Sequence, residues 1–205
     1  MITLEPSSVW NNFYQITQIP RPSKKEEKII AFLEAFSTKH QLDHKTDKAG
    51  NVLICKAATP GYENRKKIIL QAHIDMVCEK NSDVVFNFET DAIKSYIDGD
   101  WIKAQGTTLG GDNGIGMAMM LAILESNNIQ HPALECLFTV DEETGLTGAF
   151  ALENNLLEGE TLINLDSEDD GQLFIGCAGG INTVGTLSYK EIDVPKDYYC
   201  FKVAV

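Results

Sequence analysis

The sequence predicts an α/β fold, a mostly parallel sheet with helices on both faces, followed by the start of a smaller α+β domain. Three observations predict it. β-rich runs alternate with helix-patterned runs through most of the chain. Several apolar runs end directly in His or acidic residues, where an open α/β sheet places its ligand groups. From about residue 181 the alternation gives way to β-type residues with no helix after them. The expected domains are 1–183 and the beginning of a second, 184–205.

Taken in order, Ser23-Lys24-Lys25-Glu26 has the pattern of a capping box, with Pro22 just before it. Ile29, Ile30, Leu33 and Phe36 then recur at helical spacing, which predicts an amphipathic helix over 24–39 with Lys28 and Lys39 on its solvated face. Residues 51–56 are a short β-rich run, Thr59-Pro60-Gly61 a turn, and 67–72 a second strand. Asp98-Gly99 predicts a tight turn joining 93–97 and 101–104 in a hairpin. After the Gly-rich segment 108–114, residues 115–125 predict a buried helix whose methionines read as core filler. Residues 133–140 form a continuous apolar strand interrupted only by Glu135, and run into Asp141-Glu142-Glu143-Thr144-Gly145. A short helix over 146–154 and a strand over 161–165, ending at Asp166, complete the main domain. Beyond it, 181–193 and 198–205 read as strands joined by a turn at 193–197. A strand that stops mid-run at Val205 would leave an unpaired edge. The expectation is therefore that these residues are the N-terminal part of a longer protein.

Composition narrows the function. A chain of 205 residues suits one domain with an extension, and 43% hydrophobic content fits a globular protein. No apolar run approaches the roughly 20 residues of a membrane span, and the N-terminus lacks a basic-then-apolar secretion signal. A cytoplasmic protein with no membrane partner is expected. The formal net charge of −13 argues against nucleic acid as a partner. Such acidity serves solubility, or clusters acids to hold cations. The five cysteines are odd in number and form no Cys-x-x-Cys pair, which argues against a disulfide framework or a thiolate zinc site. Cys78 as a nucleophile lacks a supporting Cys-His signature. His40, His44 and His131 read as surface residues.

The chemistry lies where the strands end. His73 and Asp75 close the 67–72 strand, Glu142 and Glu143 follow 133–140, Asp166 ends 161–165, and Asp112 sits in the Gly-rich turn into the buried helix. Each has a plain reading alone. A His-x-Asp is commonplace, Asp112 could be a turn residue or helix cap, Asp141-Glu142-Glu143 a solvated helix start, and Asp166 one member of a surface acidic run. Their shared order and placement favour a site. Acids crowded at one edge raise one another's pKa values, and no Lys or Arg lies within these motifs. One or two divalent metals would supply the missing charge. Imidazole with carboxylates and no thiolate fits Zn²⁺, with Mn²⁺ or Co²⁺ as substitutes. A carboxylate bridging two metals ~3.5–4 Å apart is the clamp of a two-metal hydrolase. Of the Glu142-Glu143 pair, one acid would bind metal and its neighbour act as general base. Asp75 could accept a hydrogen bond from the outer nitrogen of His73. A carboxylate-pair glycosidase would leave His73 and Asp112 without a role.

The motifs Leu70-Gln71-Ala72-His73-Ile74-Asp75-Met76-Val77, Gly110-Gly111-Asp112-Asn113-Gly114-Ile115-Gly116 and Asp141-Glu142-Glu143-Thr144-Gly145 resemble those of the di-zinc family of aminoacylases, glutamate carboxypeptidases and dipeptidases. Asn164-Leu165-Asp166-Ser167-Glu168 and Ile175-Gly176-Cys177-Ala178-Gly179-Gly180 are similar to its bacterial Xaa-His dipeptidase branch. The resemblance runs over nearly the whole chain. It implies a zinc-peptidase-like catalytic domain in which His73 and Asp166 bind one zinc, Asp112, joined to Asn113 by a cis peptide, bridges both, and Glu143 binds the second. Glu142 would be the general base for a water attacking the scissile carbonyl, and Asp75 would orient His73. Substrates would be dipeptides with a free N-terminus, notably Xaa-His, including β-alanyl-histidine. N-acyl amino acid deacylation, carboxypeptidase activity or an inactive relative are the alternatives. In the family a lid, usually also the homodimer surface, is inserted in the catalytic domain, which then resumes and supplies a last zinc-binding His. Here that lid would have just begun.

Overall fold

The computed structural model describes residues 4–167, 169, 171–177, 179–181, 183–199 and 201. They divide into two compact units, Met1–Asp170 and Gly171–Val205. In chain order the elements are α1 (Ser7–Thr17), α2 (Glu27–Lys39), β1 (Asp43–Thr46), β2 (Val52–Lys56), β3 (Ile68–His73), β4 (Ser95–Asp98), β5 (Trp101–Ala104), α3 (Gly111–Glu125), β6 (Leu134–Thr139), the one-turn α4 (Thr147–Phe150) and β7 (Thr161–Asn164).

The α/β class predicted above is the one observed. A five-stranded sheet runs β1-β2-β6-β3-β7, and β4 and β5 form a separate two-stranded hairpin. β3 pairs in parallel with both β6 and β7. β2 is antiparallel to β1 and to β6, so the sheet is mixed, and its parallel part is the part that carries the candidate residues. The edge strand β1, Asp-His-Lys-Thr, is mostly exposed and carries no apolar alternation from which to predict it.

Period-two alternation decides the packing. Val52 and Ile54 of β2, Leu70 and Ala72 of β3 and Cys136 and Phe138 of β6 face one core, filled by Phe13 and Ile16 of α1, Ile29, Leu33 and Phe36 of α2, and Met117, Met120 and Leu121 of α3. Each such burial contributes about 1.5–3 kcal/mol. The alternate residues Leu53, Ile69 and Leu137 meet Leu156, with Leu152 and Leu157 alongside. The three long helices thus share one face. Among the described residues the other face is covered by the stretch from α4 to Leu157, which departs from the expectation of helices on both sides.

Several local expectations change. The helix predicted over 24–39 begins at Glu27, because Lys24 sits at φ +65 and cannot be helical. Ser23 does not cap it; its hydroxyl donates to Asp75 Oδ2 at 2.7 Å. α1 was hidden by its buried polar residues. Asn12 Nδ2 donates to Ser8 O and Glu125 Oε1, both at 3.0 Å, and the Thr17 hydroxyl donates to Tyr14 O at 2.7 Å. Glu135 does not expose the strand it interrupts. It is buried, accepting Lys67 Nζ at 3.2 Å and the Glu158 and Gly159 N–H groups. His131 is buried rather than on the surface, with Nδ1 2.8 Å from Pro132 O. His40 is half-buried and stacks on Phe36, whereas His44 is exposed. The helix predicted over 146–154 is the single turn α4.

In the second unit no strand forms among the described residues. The predicted turn is present, with Tyr198 N–H bonded to Pro195 O at 3.1 Å. The described residues of the flanking runs are not paired, and Ile175, Ile181, Leu187 and Ile192 lie exposed; an isolated two-stranded hairpin is marginal. The strand predicted at 198–205 falls mostly outside the described residues, as do Cys200, Ala178 and Glu168. No helix among the described residues is long and apolar enough to cross a membrane.

Candidate metal centre

Because β6, β3 and β7 run in parallel and adjacent, their carboxyl ends emerge at one edge of the sheet. His73 is the last residue of β3, opposite Thr139 of β6, and Gln71 is opposite Asn164 of β7. The chain leaving β3 therefore carries Asp75, that leaving β6 carries Glu142 and Glu143, and that leaving β7 carries Asp166. Asp112 arrives from the start of α3. Gly110 takes a left-handed φ of +70, the Asp112–Asn113 bond is cis, and neither residue has helical angles. The regular helix begins only after Asn113.

Ligand atoms of His73, Asp112 and Glu143 all lie within 4.8 Å of one another. His73 Nε2 is 2.8 Å from Asp112 Oδ1 and 3.6 Å from Asp166 Oδ1. Its other nitrogen, Nδ1, is 3.2 Å from Asp75 Oδ1. The Glu142 carboxylate stands beside this set and, with Asp166, lines a pocket of ≈ 280 Å³ together with Gln71, Leu146 and Leu162. The structure thus assembles His73, Asp112 and Glu143 as one group, with Asp166 and Glu142 at its margin and Asp75 behind it.

Asp75 is the hub of the arrangement. Fully buried, it accepts the Ser23 hydroxyl, the Glu142 N–H at 3.0 Å and the Glu143 N–H at 3.2 Å as well as its contact with His73. Burial alone would raise its pKa. The His73, Glu142 and Ser23 hydrogen bonds outweigh burial and bring it down to about 2. One carboxylate thereby contacts the imidazole and accepts the backbone N–H groups of both glutamates.

The other groups show what the cluster lacks. Burial opposes charge on His73, yet its bonds to Asp75 and Asp112 and the charge of Asp166 push it up to about 9. Burial, with Asp112 and Glu142 nearby, pushes Asp166 up to about 6 against the pull of His73. Burial and the charge of Asp112 also raise Glu143. The imidazolium serves as a local cation for carboxylates that are costly to ionise together. An imidazole with carboxylates, no thiolate and excess negative charge is a donor set that fits a divalent ion such as Zn²⁺ or Mn²⁺.

A second acidic group, Glu26, Asp75 and Asp141, is buried within the same 4.8 Å reach. Hydrogen bonds already occupy it. Glu26 Oε1 accepts the Lys24 and Asp141 N–H groups, both at 3.0 Å, and the Asp141 carboxylate accepts the hydroxyls of Thr144 and Thr147.

Sequence reasoning missed one cation. Arg21 is 2% exposed, and its guanidinium lies behind the acids. Desolvation lowers its pKa to about 10, the charges of Asp75, Asp112 and Glu143 opposing the fall, so it stays charged at neutral pH. Arg21 lies outside the strand-end motifs, and Ser23 and Glu26 were read as a helix cap; nothing in their spacing signals that the chain folds back along Asp75. A bridge between Pro22 and Met76 makes that contact.

A sequence model described as Peptidase family M20/M25/M40 matches residues 69–191. The cytosol non-specific dipeptidase of Escherichia coli (strain K12) is 46% identical over 202 residues, which cover 98% of this chain and 42% of that protein. The crystal structure of an aminoacylhistidine dipeptidase from Vibrio alginolyticus superposes with a TM-score of 0.81 at 51% identity, over 82% of this chain and 34% of that one. A tripeptidase structure from Staphylococcus aureus matches with a TM-score of 0.68 at 25% identity, over 82% of this chain and 45% of that one. The chain spans less than half the length of each.

Proposed function

The chain belongs to peptidase family M20/M25/M40, and from that premise we propose that it carries most of the catalytic metal centre of a dipeptidase acting on Xaa-His substrates, β-alanyl-histidine among them. The observation that carries the reading is the convergence of His73, Asp112 and Glu143 within 4.8 Å at the carboxyl ends of parallel strands. In this reading His73, Asp112, Glu143 and Asp166 would hold the two zinc ions. Bound zinc supplies a polarised substrate carbonyl and an acidified water at neutral pH.

The remaining work falls to the chain's own side chains. Asp75 takes the Nδ1 proton of His73 as a hydrogen bond and so presents the Nε2 lone pair outward. Its other acceptor bonds hold the Glu142-Glu143 backbone, which keeps one carboxylate in the ligand group and the next beside the pocket. Glu142 accepts a proton from the attacking water as the water oxygen bonds to the scissile carbon. It then returns that proton to the leaving amine as the C–N bond breaks. Placing the base and one ligand on one pinned turn limits the motion between proton transfer and bond cleavage.

The similarity to two dipeptidases supports a dipeptide substrate, and that to an aminoacylhistidine dipeptidase supports a C-terminal His. Residues 1–183 are assigned to the catalytic domain and 184–205 to the start of a lid that also forms a homodimer, in a cytoplasmic protein. The test is elemental analysis of the protein purified without chelator, followed by hydrolysis assays. About two zincs per chain and chelator-sensitive cleavage of Xaa-His dipeptides are expected. Faster cleavage of N-acyl amino acids would move the assignment to a deacylase, and failure to bind divalent metal would reject it.

A further inference from the structure

Among the described residues Arg21 has no direct carboxylate partner, although it is fully buried among acids. Its donors go to backbone carbonyls instead. Nη1 donates to Ile74 O at 2.9 Å and Asp75 O at 2.6 Å, and Nη2 donates to Gly110 O at 2.5 Å. Those carbonyls belong to the two segments that supply His73 and Asp112. One follows β3; the other is the left-handed turn before α3. A Cβ at Gly110 would lie 2.5 Å from Arg21 Nη2 and 2.8 Å from Met76 Sδ, and one at Gly114 would lie 2.9 Å from Nη2. The turn can approach the guanidinium only because both positions are glycine.

A planar guanidinium donates in two directions at fixed separation, which an ammonium cannot do. Burying it without an ion pair is costly, and a core residue needed for packing alone would not have to carry a charge. We infer that Arg21 is a positioning residue of the metal centre: by bridging the Ile74–Asp75 and Gly110 carbonyls it sets the spacing between His73 and Asp112. The charge is of secondary effect here, since the carbonyls are bonded at 2.5–2.9 Å whereas the acids act on Arg21 only through the field. This inference rests on the reading of the site as a metal centre.

The test is Co²⁺ titration of the protein and of Arg21→Lys, Arg21→Met and Gly110→Ala, following the visible absorption of the bound ion, with unfolding temperature measured alongside. Leu33→Ala, a core truncation on α2, is the control for lost stability alone. All three site variants are expected to bind Co²⁺ about 10–100-fold more weakly with an altered spectrum, while Leu33→Ala keeps the parental affinity and spectrum. Parental binding by Arg21→Lys would show that charge suffices and would overturn the inference, as would tighter binding by Arg21→Met. If the Arg21 variants do not fold, Gly110→Ala decides from the opposite side of the same contact: parental affinity with the guanidinium displaced overturns it. If the parent protein binds no Co²⁺, the metal-centre reading itself fails.

Discussion

The division of labour proposed for Glu142 and Glu143 would be set by one backbone turn. Both amides are held by the same carboxylate, Asp75, at 3.0 and 3.2 Å, so successive side chains leave in different directions, one into the His73–Asp112 group and one to the pocket margin. Glu142→Gln keeps size and backbone but removes the proton acceptor. Turnover is expected to fall about 10²–10⁴-fold with metal affinity changed far less; steady-state kinetics beside a metal titration checks both, and a variant retaining parental kcat would remove Glu142 from the mechanism. The same scale sets a pH dependence. In the metal-free protein His73 has a pKa raised from 6.5 to about 9, so at neutral pH it carries a proton that metal must displace. Apparent metal affinity should therefore rise about tenfold per pH unit up to about pH 9 and level off above it. Below about pH 6 Asp166 is protonated too, and the fall in affinity steepens. The metal-free fold correspondingly keeps the His73 contribution below its unfolded pKa and loses it as pH rises through about 9. Calorimetry in buffers of different ionisation heat reads the released proton; affinity that is flat between neutrality and pH 9 would show that His73 is neutral.

At the scale of elements, the loop after β6 is pinned from outside. Asn51, just before β2, accepts the Val140 N–H at 3.1 Å and donates to Gly148 O and Asp47 Oδ2, both at 2.9 Å. It spans the loop that contains Glu142 and Glu143. Asn51→Ala removes the side-chain partner of one buried donor and two buried acceptors, with an expected loss of about 1–3 kcal/mol in urea denaturation and weaker metal binding. A variant within about 0.5 kcal/mol of the parent would mean that Asp141 and the Thr144 and Thr147 hydroxyls hold the loop unaided. This pinning explains what the sequence could and could not reveal. β3, β6 and β7 were legible because they are apolar runs, and their terminal His73, Glu142, Glu143 and Asp166 because a parallel strand end is a privileged position. α1, β1, Arg21, Ser23 and Asn51 were not legible. β1 is exposed and lacks apolar alternation; the others act through hydrogen bonds to residues 50 or more positions away or through buried polar groups, and neither leaves a periodic trace. Ser23 shows the difficulty most clearly: a sound local pattern, the capping box, lost to a tertiary partner, Asp75.

At the scale of the molecule, a net charge of −13 makes the position of the acids matter more than their number. Many stand on the surface, paired with lysines as Glu158 is with Lys67 at 2.5 Å and Glu160 with Lys66 at 2.7 Å, and such exposed pairs add little. The acids that oppose folding are those gathered at the strand ends, where Glu143 and Asp166 have raised pKa values. A divalent ion held there would bind the folded chain and not the unfolded one, and so would shift the folding equilibrium by mass action. At a free metal concentration about 100-fold above Kd the gain is about 2.7 kcal/mol, or roughly 5–11 °C in the unfolding midpoint of a chain of this size. Chelator should reverse the shift, and Asp112→Asn should abolish most of it, because Asp112 contributes a ligand atom but is half exposed and supports little of the core. The readout is thermal unfolding with Zn²⁺ or Mn²⁺ titrated in. A midpoint indifferent to metal, or one that rises equally in Asp112→Asn, would show that the strand-end carboxylates do not hold the ion and that the acids are balanced by His73 and Arg21 alone.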